Sequence, residues 1–217
     1  MMVCIEGIDA AGKATQSRRL AHRMSGKLFS FPDYTTPIGH MIKGHLSGYW
    51  HAAAGTELEG DALVIDPKRL KTIDAVVFQA LQLANRMEHA MEISQTIAGG
   101  QHVICDRYWP SGVVYGTADG LNSAWLMDLH RWLPQPDVFI LLDMDPTMSV
   151  ERRPARRDRY EKQNGLMQEA SGLYRKLWQE QTLLNPLRTA GKAKWSVVDA
   201  SLTEDEVAQA IWQEVTG

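Results

Sequence analysis

Short apolar runs alternate with longer segments of helical spacing along this chain. The run Val138–Met144 is uninterrupted, as expected of a strand covered by helices on both faces. The predicted strands are Met2–Glu6, Lys27–Phe31, Val103–Asp106, Val138–Met144 and Trp195–Val198. The predicted helices are Lys13–Met24, Pro37–Leu46, Pro67–Ala98, Ser123–Leu133, Asn164–Leu184 and Glu204–Val215. This alternation predicts an α/β fold with a mainly parallel sheet.

The composition favours a globular single-domain protein over a nucleic-acid-coating or membrane-spanning one. The chain has 217 residues, 44% of them hydrophobic and 23% charged, which fits a single domain over residues 1–217 with a real core. The net charge of −3 argues against a surface that coats nucleic acid, and no apolar run reaches the length of a membrane span. The first predicted strand leaves no room for a signal peptide, so we expect a cytoplasmic enzyme. Cys4 and Cys105 lie in predicted strands and are expected to be buried, reduced thiols.

A phosphate-binding loop is predicted at Gly7–Lys13, which has the spacing G-x-x-x-x-G-K between a strand and a helix. The glycines allow backbone N–H groups to surround a phosphate, and the lysine reaches the outer phosphates. Ala14 occupies the position where a Ser or Thr usually binds Mg²⁺, and Thr15 follows it. We therefore expect Mg²⁺ to be held by phosphate oxygens, water and a carboxylate. The alternative is a nucleotide binder without catalytic activity.

Several further motifs occur in a fixed order along the chain. They are Gly7–Thr15, Phe31–Gly39, Ala84–Arg86, Asp106–Tyr115, Pro136–Pro146 and Arg156–Lys162. The ordered set resembles the thymidylate kinase family of P-loop nucleoside monophosphate kinases. The resemblance implies a three-layer fold with a five-stranded parallel sheet, helices on both faces, an Arg-rich lid near residues 151–163, and a homodimer. It also implies transfer of a phosphoryl group from ATP to dTMP in the presence of Mg²⁺.

The residues expected around the phosphates of donor and acceptor follow from the phosphate-binding loop and the family resemblance. Arg107 ends a central strand, where ligands bind in open α/β sheets, and by resemblance it clamps the acceptor phosphate; the alternative is a surface ion pair with Asp106. Asp9 resembles the aspartate that contacts the acceptor sugar and orders this arginine. Asp9 and Asp106 are the predicted Mg²⁺ ligands, either directly or through water. The expected donor-binding residues are Gly7, Asp9, Ala10, Ala11, Gly12, Lys13, Ala14, Thr15, Arg153 and Ser201.

Five arginines lie within eight residues of the predicted lid: Arg152, Arg153, Arg156, Arg157 and Arg159. So many guanidinium groups repel one another unless an anion is near, which favours a role at the ATP phosphates. Some family members carry a catalytic arginine in the P-loop, but this loop has none. The lid is therefore expected to supply it, as Arg153 or Arg157, beside the catalytic Lys13, Asp9 and Arg107.

The acceptor side is predicted from a polar stripe on the helix Pro67–Ala98, formed by Gln79, Gln82, Arg86 and His89. By resemblance, Arg86 holds the base or phosphate of the acceptor, and Gln82 replaces a phenylalanine that stacks on thymine. Phe78, Trp109 or Tyr34 would then supply the stacking, or the Gln82 amide would hydrogen-bond a base edge instead. Tyr115 matches a tyrosine that excludes ribonucleotides. The expected acceptor-binding residues are Asp9, Tyr34, Gln82, Arg86, Arg107, Ser111, Gly112, Tyr115 and Tyr160. An altered or broadened base preference is the main alternative to dTMP specificity.

Overall fold

The computed structural model describes residues 1–47, 74–152, 164–184 and 193–217. Its strands are β1 (Met2–Glu6), β2 (Lys27–Ser30), β3 (Val103–Asp106), β4 (Val138–Asp143) and β5 (Lys194–Asp199). They form one sheet in the order β2-β3-β1-β4-β5, and every neighbouring pair is parallel. The predicted α/β class and five-stranded parallel sheet are confirmed, with strand ends displaced by no more than one residue.

The helices described are α1 (Lys13–Arg23), α2 (Pro37–Ser47), α3 (Ala75–Ala98), α4 (Trp109–Ala118), α5 (Ser123–Leu129), α6 (Pro146–Glu151), α7 (Asn164–Leu184) and α8 (Glu204–Thr216). The connection from β1 to β2 runs one way across the sheet, whereas the later connections run the other way. Because such crossovers are right-handed, the two directions place helices on opposite faces. Accordingly, α1 packs with α8, and α4 packs with α3, α5 and α7.

The structure corrects several helix predictions. Helix α3 begins at Ala75, because Asp74 has an extended ψ of 143° and caps the helix through the Val76 N–H, so a single helix does not run from Pro67 to Ala98. Residues 67–73 lie outside the described residues. Helix α5 ends at Leu129 rather than at Leu133.

Helices α4 and α6 were not predicted. In α4, almost every residue from Trp109 to Gly116 is buried, so its sequence has no polar face to mark a period. Its Pro110 is tolerated because it lies in the first turn. Helix α6 has only six residues, which is too short for a periodic pattern.

The central strands of the sheet are buried on both faces. All of β1 is buried, and Cys4 faces its register partner Cys105 with both thiols buried and free, as predicted. None of the helices in the described part of the chain has the length and apolar character that a bilayer crossing requires.

The direction of the chain connections reverses between β1 and β3, which are neighbours at the centre of the sheet. In open α/β sheets a crevice forms beyond the carboxyl ends of the strands at such a point. The loop after β1 and the residues after β3 therefore meet there, and this is where the candidate site lies.

Candidate active site

The loop after β1 requires glycine at two positions for different reasons. Gly7 has φ of +145°, and a Cβ added there would lie 2.6 Å from the backbone oxygen of Leu142 on the neighbouring strand. Gly12 has φ of +90° and precedes α1, with open space where a Cβ would stand. Ala10 also adopts a positive φ, of 57°. The first glycine allows close backbone approach, and the second allows the left-handed turn into the helix.

Lys13 is the first residue of α1 and is buried, and its Nζ donates to the Ile8 backbone oxygen at 2.6 Å. Burial, and then the nearby charge of Arg107, lower the pKa of Lys13 from 10.5 to about 8. A lysine held in this way has lost hydration that an anionic ligand replaces.

An open cleft of about 440 Å³ lies against this loop. Its lining residues are Asp9, Ala10, Gly12, Lys13, Ala14, Thr15, Phe31, Asp106, Arg107 and Arg152. Gly7 and Ala11, which belong to the same loop, are buried and do not line the cleft. Ser201 does not line it: this exposed residue follows β5, and its N–H donates to the Asp199 carboxylate at 2.8 Å.

Two residues of the α6 segment support the cleft. The Ser149 hydroxyl is fully buried and donates to the Asp9 backbone oxygen at 2.7 Å. The Arg152 Nη1 donates to the Ala200 backbone oxygen at 3.0 Å, which links the end of β5 to the cleft. Sequence reasoning included Arg152 only as a member of the arginine cluster and did not identify Ser149, which lies in an unpredicted helix.

Arg107 lies directly after β3 in a left-handed conformation, with φ of 63°. Its Nη2 donates to the Asp9 carboxylate, and its Nη1 donates to the Gly7 backbone oxygen at 3.0 Å and to the Ser111 hydroxyl at 3.2 Å. The alternative of an ion pair with Asp106 is wrong, because the partner is Asp9. A non-glycine residue with positive φ that is held by several contacts is typical of a functional site.

A buried carboxylate lies beneath this arginine. Glu6, at the end of β1, is fully buried and accepts from the Ser111 hydroxyl at 2.7 Å and from the Tyr174 hydroxyl at 2.9 Å. It also accepts from the Tyr108 backbone N–H at 2.6 Å. Ser111 and Tyr174 in turn contact Arg107, so Glu6 fixes the acceptors that hold the guanidinium. Sequence reasoning missed Glu6, although a carboxylate inside an apolar strand was a visible signal.

A second pocket opens on the other side of Arg107, with a volume of about 120 Å³. It is lined by Asp9, Phe31, Pro32, Tyr34, Leu46, Phe78, Gln79, Gln82, Arg86, Arg107, Ser111, Gly112 and Tyr115. The structure thus brings together all the predicted acceptor residues that it describes. Of the candidates for stacking, Phe78 and Tyr34 line the pocket, whereas Trp109 packs in the core against Phe139 and Trp195.

Arg86 carries a buried charge at this pocket. Only 2% of the residue is exposed, and its Nε and Nη1 are buried without a hydrogen-bond partner. Burial lowers the pKa of Arg86 from 12.5 to about 10. A buried cation that lacks a partner is costly, so this group is suited to a ligand that brings an anion or a carbonyl oxygen.

Asn85, the residue before Arg86 in the motif Ala84–Arg86, has a structural role. Asn85 is fully buried, accepts from the Asp33 N–H at 2.8 Å and donates to the Thr36 hydroxyl at 2.9 Å. It fixes the loop after β2 that carries Tyr34 into the pocket. The motif alone does not reveal this role of Asn85, because it depends on contacts with a distant loop.

Comparison with known proteins decides the family. The thymidylate kinase family model matches residues 64–211 of this chain. The chain belongs to the thymidylate kinase family. It is 32% identical over 166 residues to the thymidylate kinase of Schizosaccharomyces pombe, which covers 74% of this chain and 69% of the relative. It is 27% identical over 217 residues to the Dictyostelium discoideum enzyme, which covers 97% of this chain and 82% of the relative.

A solved thymidylate kinase from Candida albicans, described as having broad substrate specificity, superposes with a TM-score of 0.76 at 25% identity. The alignment covers 99% of this chain and 90% of that chain. The predicted fold of a P-loop kinase is confirmed by this similarity together with the parallel sheet.

Some predicted residues of this thymidylate kinase family member fall outside the described part of the chain. Arg153, Arg157 and Tyr160 belong to this group, as does most of the predicted lid at 151–163. Their roles stay predictions. The described segment of the lid is the end of α6 with Arg152, which lines the cleft at the P-loop.

Proposed function

We propose that this member of the thymidylate kinase family transfers the γ-phosphoryl group of ATP to dTMP, giving ADP and dTDP. One observation carries the proposal. The cleft at the P-loop and the pocket beyond it are lined by different residues, except that Asp9, Phe31 and Arg107 line both. A donor phosphate chain in the first and an acceptor phosphate in the second would meet at the Asp9–Arg107 pair.

In this proposal, an oxygen of the acceptor phosphate attacks the γ-phosphorus. A new P–O bond forms, the bond to the β–γ bridging oxygen breaks, and ADP leaves. The protein contributes position and positive charge rather than covalent chemistry. Lys13 would bridge the donor phosphates, and Arg107 would hold the acceptor phosphate. The fork of Arg107 is supported at both ends, by Asp9 at Nη2 and by Gly7 and Ser111 at Nη1.

The residues present fit a Mg²⁺ ion that is held largely by phosphate and water. Asp106 lines the cleft beside Lys13 and Thr15, whereas the Asp9 carboxylate is engaged by Arg107. Within the described residues, no three acidic, His or Cys side chains are close enough together to hold a metal ion. When bound, Mg²⁺ would neutralise charge on the phosphates, and Asp106, a carboxylate that lines the cleft, would assist through water.

The sugar and base preferences rest on the second pocket. Tyr115 lines it with its ring 5.7 Å from the Arg107 guanidinium carbon, close to where an acceptor sugar would join its phosphate. Gln82 also lines the pocket, which supports hydrogen bonding to a base edge in place of aromatic stacking and favours a broadened base preference as the second candidate.

The test is a coupled assay of ADP release with Mg-ATP and a panel of dTMP, dUMP, dCMP, dGMP and UMP. We expect dTMP to have one of the highest kcat/KM values and dUMP to exceed UMP. A kcat/KM for dTMP below that of dCMP or dGMP would refute thymidylate preference. Lys13→Met should abolish turnover. If the wild-type chain formed no product with any of these acceptors, it would instead be a nucleotide binder without catalytic activity.

The homodimer is proposed on the surface of α3. Val77, Ala80, Ala84, Met87 and Met91 follow a heptad spacing on this helix, and Met91 is 72% exposed. Such an apolar stripe, with small residues at its start, fits antiparallel or parallel pairing with the same helix of a second copy. Light scattering should give a dimer for the wild-type chain and a monomer for Met91→Glu, while the exposed control Glu92→Gln should remain dimeric.

A further inference from the structure

Two glycines one turn apart on α4 make room for polar side chains from other helices. A Cβ at Gly112 would lie 2.9 Å from Cε1 and 3.1 Å from Nε2 of His130, and 3.3 Å from Oε1 of Gln79. A Cβ at Gly116 would lie 3.2 Å from Cδ of Gln79. The Gln79 carboxamide from α3 and the imidazole that follows α5 therefore meet over the surface of α4.

The hydrogen-bonding roles of His130 are fixed by its surroundings. Its Nδ1 lies 2.7 Å from the Leu126 backbone oxygen, which can only accept, so Nδ1 carries the proton and Nε2 is an acceptor. Burial, and then the charge of Arg86, lower the pKa of His130 to about 3, so the ring is neutral. Only 1% of His130 is exposed, and its Nε2 has no hydrogen-bond partner.

Gln79 is equally buried, with 1% exposed, and its Oε1 likewise has no partner. The two unpartnered atoms lie within 3.3 Å of the same point, and both are acceptors. Half a turn of the carboxamide would direct the Gln79 NH₂ group, in place of its oxygen, toward the space that it shares with the His130 Nε2, where a donor can meet the unpartnered acceptor. The same turn directs the carbonyl oxygen the other way. Gln79 also lines the second pocket beside Gln82 and Arg86, so that oxygen can face a ligand.

We propose that Gln79 is a specificity-determining residue that accepts a hydrogen bond from N3–H of a thymine or uracil base, and that His130 is the positioning residue that holds its carboxamide in this orientation. The inference rests on the proposed function, since it requires the second pocket to take the acceptor base. Thymine and uracil carry a proton at N3, whereas cytosine has a lone pair there. A fixed carbonyl oxygen therefore favours the first two bases and repels the third.

Gly112 gains a role from the same arrangement. Any side chain at this position would displace His130 or Gln79, so the base is read by a residue of α3 instead of one on α4. The absence of a side chain at Gly112 is what allows Gln79 to reach this place.

The experiment compares the kcat/KM ratio of dTMP to dCMP in three variants. Gln79→Met keeps the length of the side chain but removes the carbonyl oxygen, and we expect it to lower kcat/KM for dTMP and dUMP about tenfold with KM for ATP unchanged. His130→Phe keeps a ring but removes the acceptor, so the carboxamide can turn its NH₂ group to cytosine N3. We expect the dTMP to dCMP ratio to fall about fivefold or more in this variant. Gln95→Met, an exposed change on the same helix, is the matched control and should leave the ratio unchanged.

A purely structural role would lower the activity with dTMP and dCMP by the same factor in both variants, and this outcome would overturn the inference. The same holds if His130→Phe keeps the wild-type ratio while thermal denaturation shows it to be folded. Should Gln79→Met fail to fold, the ratio for His130→Phe decides alone. Failure of the wild-type chain to phosphorylate dTMP would instead reject the proposed function, so the two failures are distinguishable.

Discussion

The Asp9 carboxylate accepts a hydrogen bond from the Arg107 guanidinium, and this pair lies where the P-loop cleft meets the second pocket. Asp9 belongs to the loop after β1, whereas Arg107 follows β3. The contact therefore joins the two strand ends at the point where the chain connections reverse. Because Arg107 also has a positive φ, its fork is directed by backbone and side-chain contacts together.

We expect Asp9→Asn to lower kcat/KM for dTMP about 100-fold, because the arginine loses its charged anchor and its orientation. Arg107→Lys should cost a similar factor, since a lysine cannot form the two-sided contact. Steady-state kinetics of both variants and of the double variant would measure the coupling. If the two effects multiplied as independent changes, the proposed dependence of Arg107 on Asp9 would be wrong.

Arg86→Met should have opposite effects on stability and on function. The substitution removes a buried cation with two unpartnered nitrogens, so we expect the free energy of unfolding to rise by about 1–3 kcal/mol in the absence of ligand. We also expect KM for dTMP to rise at least tenfold, because the pocket loses its cation. Thermal denaturation without ligand measures the first effect, and steady-state kinetics with dTMP measures the second. The exposed Arg18→Met is a control that should shift the free energy of unfolding by less than about 0.5 kcal/mol, and a destabilised Arg86→Met would contradict the argument.

The parts of the fold that follow local rules could be predicted from the sequence. The loop Gly7–Lys13 is recognisable because its glycines, its lysine and the adjoining strand and helix are close in sequence. Helix α4 could not be predicted, since nearly complete burial removes the alternation of polar and apolar residues on which such a prediction depends.

The site shows the same division. Arg107 and Arg86 belong to recognisable sequence motifs, and the structure places both at the predicted pocket. The importance of Glu6 depends on Ser111 and Tyr174, which are more than 100 residues away along the chain. Gln79 was noted as part of a polar stripe, but its relation to His130 depends on how α3, α4 and α5 pack. Such long-range contacts leave no periodic signal in a single sequence.

The pKa of Lys13 predicts proton uptake when ATP binds. With a pKa of about 8 in the free protein, Lys13 loses its proton as the pH rises through 8, and the phosphates of ATP favour the charged form. At pH 8.5 we expect binding to take up about half a proton or more, and at pH 7 almost none. Calorimetry in buffers of different ionisation enthalpy measures this uptake.

Lys13→Met is the control for that measurement, because it should show no pH-dependent uptake. The same shift has a consequence for stability. Between pH 8 and 10.5 the unfolded chain binds more protons at this residue than the folded chain does, so its contribution to the free energy of unfolding increases as the pH rises through this range. Uptake that is equal at pH 7 and pH 8.5 would show that the Lys13 pKa is not lowered.

Gly7→Ala and Gly12→Ala separate the two reasons for glycine in the phosphate loop. A methyl group at Gly7 would lie 2.6 Å from a backbone oxygen of β4, which cannot move without disturbing the sheet, whereas the space beside Gly12 is open. We expect Gly7→Ala to lower the free energy of unfolding by more than about 3 kcal/mol and to abolish ATP binding. Gly12→Ala carries only the cost of a left-handed conformation, about 1–2 kcal/mol. Denaturant unfolding and nucleotide titration of both variants test the difference, and equal losses would show that close approach to β4 does not distinguish the two glycines.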